Sequence, residues 1–147
     1  MSEAQVLTTL GALIAPELAA DPSRVAVVEA SRHVTFAELD HEADRVAAAL
    51  IALGLKSGDR VLLWMASCAE WLGTALGIAR AGCTLVTLDA AAGPSELARA
   101  LGQTHAKVVF LSPRIDSTRS RKWHRNAFAG SRERRTAPTC PSCAPWR

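Results

Sequence analysis

At 147 residues, with 49% apolar and 21% charged residues, the chain has the length and balance of one ordinary globular domain, which excludes a wholly disordered or fibrous class. The formal charge of +3 is unevenly spread: up to Leu111 there are 8 Lys and Arg against 12 Asp and Glu, and from Ser112 onward 9 against 2. All 17 Leu and 10 Val also lie at or before Leu111, so the chain reads as an α/β region over 3–112 joined to a basic, low-order tail over 113–147.

No run reaches the roughly 18 apolar residues of a membrane span, and "VLTTLGALIAPELAA" lacks the basic start of a secretory signal, so a cytoplasmic location is expected. Cys68 and Cys83 stand singly in a helix start and a strand, and Cys140 and Cys143 lie in the tail. This is not the pattern of a disulfide framework.

In chain order, the apolar spacing of Val6, Leu10, Leu13, Ile14 and Leu18 predicts a helix over 3–20, stopped at "ADPS" because Pro22 disfavours helix at the residue before it. "RVAVVEA" predicts a strand, and "RHV" a short partner across a turn at about 30–32. "TFAE" is a capping box, in which the Thr35 hydroxyl accepts from the amide three residues on and Glu38 reaches back to the Thr35 amide. The helix it starts carries Leu39, Ala43, Val46, Leu50 and Leu53 on one face, and Gly54 closes it. After the turn "KSGDR", the unalternating run "VLLWM" suits a strand covered on both faces. Ser67 is the expected cap of a helix over about 68–81, with Trp71, Ala75 and Ile78 on one side. "CTLVTLD" repeats the strand pattern, Pro94 with Glu96 opens a helix to about Gln103, and "KVVFL" is a third strand. The β-α-β-α-β order predicts a partial parallel sheet with flanking helices, beside a small N-terminal hairpin.

Open α/β sheets bind ligands outside the carboxyl ends of their strands, here the loops after Met65, Asp89 and Leu111. No glycine cluster able to cradle a phosphate follows any of them, and the two glycines of "GLKSGDR" precede a strand instead of linking strand to helix. Asp59 and Glu70 have local explanations, turn chemistry and first-turn helix charge, and are read as structural. His33, His41 and His105 have no Cys or His at ligand spacing, and His41 is expected on a solvated helix face. "CPSC" has redox or half-zinc spacing but lacks a βα setting or two further ligands, His124 alone being insufficient. The run "RSRKWHRNAFAGSRERR", with Trp123 and Phe128, has the composition of a nucleic-acid grip, and a disordered or accidental run is the preferred reading. The sequence therefore yields no catalytic, cofactor-binding or metal-ligating residue.

Three spaced blocks, "TFAELDHEADRVAAALIALGLKSGDRVLL", "EWLGTALGIARAGCTLVTLD" and "SELARALGQTHAKVVF", with a lead-in over 7–34, resemble the N-terminal part of the adenylate-forming acyl-CoA synthetases, the AMP-dependent synthetase and ligase superfamily. The resemblance covers about residues 6–113. It departs at Ala66, Ser67 and Cys68, where the family tends to have Pro-Asn-Ser, and at Thr87, where it often has Pro. It implies a parent activity in which a carboxylic acid and ATP, with magnesium, give an acyl adenylate whose acyl group then passes to coenzyme A. The family's Ser/Thr/Gly-rich phosphate loop, its aromatic-Thr-Glu motif, its ribose-binding Asp and its C-terminal Lys are all missing from the sequence.

The expectation is a truncated N-terminal fragment of an acid–CoA ligase that is inactive alone, exposes apolar surface and dissolves poorly, with a tail of the composition an out-of-frame GC-rich gene would give. The alternatives are a short natural variant with a genuine basic tail, one subunit of a split enzyme completed in trans by a separately encoded remainder, and a nucleic-acid-binding protein.

Overall fold

The computed structural model describes residues 9–30 and 32–111. They fall into two compact units. The first takes the described residues up to Gly58 together with Ser67–Thr84; the second takes Asp59–Ala66 and those from Leu85 on. The proposed tail, with "CPSC", His124, Trp123 and Phe128, lies outside the described residues.

The first unit begins with a short 3-10 helix, Leu10–Ala12, followed by α1, Ala15–Ala20. The single helix expected over 3–20 is thus broken within its described part, and Pro16 gives the reason. Inside a continuous helix it would remove a hydrogen bond and clash with the carbonyl four residues back, whereas in the first turn of α1 its missing N–H has no partner to lose. The chain then forms a hairpin of β1, Val25–Glu29, and β2, Arg32–Thr35, pairing Val27 with Val34, Val28 with His33 and Glu29 with Arg32. Ala30 adopts φ +50° at the turn.

The capping box forms as its sequence dictates: the Glu38 amide donates to Thr35 Oγ1 at 3.2 Å and the Thr35 amide donates to Glu38 Oε2 at 2.8 Å. It opens α2, Phe36–Ala52, which buries Leu39, Ala43, Val46, Ala47 and Leu50 and is followed by Gly54 at φ +82°. The helix α3, Ala69–Arg80, starts one residue later than a Ser67 cap would place it. Cys68 occupies the cap position and makes no side-chain capping bond; the Ala69 amide instead donates to Glu29 Oε2, from the hairpin, at 3.4 Å.

α3 is buried continuously from Gly73 to Ile78, and its glycines explain how closely it approaches α2. A Cβ on Gly77 would sit 2.6 Å from the Ala43 carbonyl oxygen and 2.6 Å from Val46 Cβ, and one on Gly73 would sit 2.8 Å from Glu42 Cγ. Ile14, Val34, Leu39, Ala43, Ala69 and Leu76 form the core beneath. At the end of α3, Arg80 donates to Asp40 Oδ1 at 2.5 Å, to Asp44 Oδ1 at 2.7 Å, to the Asp40 carbonyl at 3.1 Å and to the Gly11 carbonyl at 3.2 Å. One guanidinium therefore ties the 3-10 helix, α2 and α3 together. Burial alone would make the Arg80 cation easier to deprotonate; the bonds from Asp40 and Asp44 outweigh this and hold it firmly charged.

The second unit carries a three-stranded sheet in the order β4-β3-β5, with β3 Arg60–Trp64, β4 Thr84–Leu88 and β5 Val108–Leu111; only Thr84 of β4 falls in the first unit. β3 and β5 run parallel, Val61 beside Val108 and Trp64 beside Leu111. The central place of β3 accounts for its unalternating run: Val61, Leu62, Leu63 and Trp64 are all buried, while flanking β4 and β5 are mostly half-buried. Between β4 and β5 the chain forms α4, Pro94–Thr104, whose Leu97 and Leu101 join Leu62, Trp64 and Ala106 in a second core. The Gly93 amide donates to Glu96 Oε2 at 2.8 Å at its start, and His105 closes it in the left-handed region at φ +51°.

Candidate functional site

The carboxyl ends of β3 and β4 are where a parallel sheet would offer a ligand its backbone amides. After β4, the amides of Ala91, Ala92 and Gly93 are already used. The Trp64 indole donates to the Asp89 carbonyl at 2.9 Å, the Asp89 carboxylate accepts from the Ala91 amide at 2.7 Å, the Ala92 amide returns to the Asp89 carbonyl at 2.9 Å, and the Gly93 amide is held by Glu96. The 89–93 loop is thus a closed turn followed by a helix cap, with one glycine where a phosphate cradle needs several. Among the described residues no three His, Cys, Asp or Glu side chains gather as a metal site. Among the described residues, the 89–93 loop does not fit ATP phosphates and no carboxylate cluster fits a magnesium ion.

Asp59 and Glu70 are each engaged within their own unit. Asp59 forms an ion pair with Lys107 Nζ at 2.7 Å, a partner 48 positions away that turn chemistry alone does not disclose. Glu70 sits in the first turn of α3, as its position implies, and also accepts from Arg32 Nη1 at 2.5 Å. Burial pushes the Glu70 carboxyl up, and bonds from its own amide, Arg32 and the Cys68 thiol outweigh that, leaving it below its usual range. The bond from Glu70 reciprocally strengthens the Arg32 cation. The Cys68 thiol is pushed up by burial, the opposite of what a reactive thiolate requires.

His33 is an exposed hairpin residue opposite Val28, His41 is exposed on α2 as its helix position suggests, and His105 is the exposed left-handed cap of α4. Cys83 is buried, with its sulfur 3.9 Å from the Lys56 and Ala81 carbonyl oxygens. The polar groups that sequence spacing did not single out are Arg80 and Trp64. Both hold backbone carbonyls from distant segments, and neither offers an unspent donor set to a substrate.

The described residues form a mixed α/β fold whose 91–93 amides bond within their own loop and helix cap. The backbone superposes on apo MatB from Rhodopseudomonas palustris with a TM-score of 0.69 at 31% identity, covering 85% of this chain and 24% of that one. Among curated proteins it is 42% identical over 81 residues to the acyl-CoA ligase sidI of Aspergillus fumigatus, 55% of this chain and 14% of that protein. It is 33% identical over 108 residues to the mitochondrial medium-chain acyl-CoA ligase ACSF2 of Mus musculus, 71% of this chain and 18% of that protein. Residues 15–144 match the AMP-binding enzyme family, and the chain belongs to it. The matched span runs past the change of composition at Ser112, and the chain spans less than a fifth of the length of either curated relative.

Proposed function

We propose that this chain supplies the N-terminal scaffold of an ATP-dependent acid–thiol ligase and does not form an acyl adenylate by itself. The observation that supports this reading is the pairing of family membership with a loop after β4 whose Ala91, Ala92 and Gly93 amides already have partners and so are not free to hold a transferring phosphate. What the chain's own residues contribute is positional. Trp64 fixes the 89–93 turn against the central strand, and Arg80 fixes the helices of the first unit. ATP, magnesium and coenzyme A belong, on this reading, to parts of the fold beyond those present here, as does the choice between fatty and aryl acids.

The test is ATP–pyrophosphate exchange on the purified chain, with a panel of fatty and aryl acids, alone and then with lysate of the source cells. No exchange alone is the expected result, and exchange by the chain alone overturns the proposal. Exchange gained only with lysate supports a separately encoded remainder completing the enzyme. Sequencing the locus distinguishes an out-of-frame tail, which an intact downstream frame encoding a Gly-rich loop would support, from a natural one. The proposed location is the cytoplasm, to be checked by cell fractionation; among the described residues no helix is long and apolar enough to cross a membrane.

A further inference from the structure

We draw no further inference here: the strongest candidate, the apolar patch that Val25 and Val28 leave 45% and 65% exposed on the β1–β2 hairpin, has nothing in the structure to show what covers it.

Discussion

Each unit has its own internal means of cohesion, and the two means are opposite. In the first, α3 lies so close to α2 that the contact depends on side chains that are missing, since Gly77 has backbone and a β-branched residue where its Cβ would go. In the second, the sheet depends on bulk that is present: Trp64, 4% exposed, fills the core and its indole N–H secures the Asp89 carbonyl. One unit should therefore be intolerant of an added atom and the other of removed ones.

The largest expected effect is at Trp64. Trp64→Ala should destabilise the second unit by about 3–5 kcal/mol, the cost typical of removing a buried aromatic. Trp64→Phe keeps most of the packing while losing the indole bond, so it should cost only about 1–2 kcal/mol. Urea unfolding with hydrogen exchange resolved by residue would check both, and loss of protection confined to α2 and α3 would break the contrast.

Next comes Gly77→Ala. Helix propensity alone would make this change stabilising by about 1 kcal/mol. The 2.6 Å approach to the Ala43 carbonyl should reverse the sign and destabilise the first unit by about 1–3 kcal/mol. Gly102→Ala is the matched control in α4: a Cβ there meets nothing within 4 Å, so propensity should prevail and the second unit should gain about 0.5–1 kcal/mol. Equal shifts of the melting midpoint for the two variants would refute the difference drawn between the units.

Below the Gly77 effect, Thr35→Ala removes the acceptor for the Glu38 amide and should cost about 1 kcal/mol, read as earlier fraying at the start of α2. The smallest effect concerns pH. Because the folded Glu70 carboxyl titrates below its ordinary range, its contribution is fully present above the unfolded value of about 4.3 and is lost as pH falls through the folded one. Glu70→Gln should flatten the acid limb of a stability-against-pH curve and leave the neutral region nearly parallel to the parent. An unchanged acid limb would show that the Arg32 contact adds nothing at the surface.

Much of this was legible because the deciding interactions are local. Thr35 and Glu38 are three residues apart, α2 shows its buried face by spacing, and "VLLW" announces a covered strand. The break before α1 has its local mark in Pro16, which the apolar spacing running through it conceals. What escaped was set by partners distant in sequence. Glu29 supplies the bond at the start of α3 that Ser67 seemed placed to make, Lys107 answers Asp59, and Arg80 reaches back to Gly11. Gly73 and Gly77 read as neutral or poor helix residues until α2 is brought against them. Of a site, the sequence could report only that its loops lacked a glycine cluster. That the amides of Ala91, Ala92 and Gly93 are also occupied required the Asp89 and Glu96 geometry.

The interleaving of the units bears on how the chain is made. β3 belongs to the second unit but is synthesised in the middle of the first, and its registered neighbour on one side begins at Val108. At about 5–20 residues per second, a ribosome presents "VLLW" to the cell several seconds before Val108 exists to pair with it. Throughout that interval the most buried of the described strands lacks its partner on one edge, so a holdase acting on the nascent chain would have its natural target at residues 61–64.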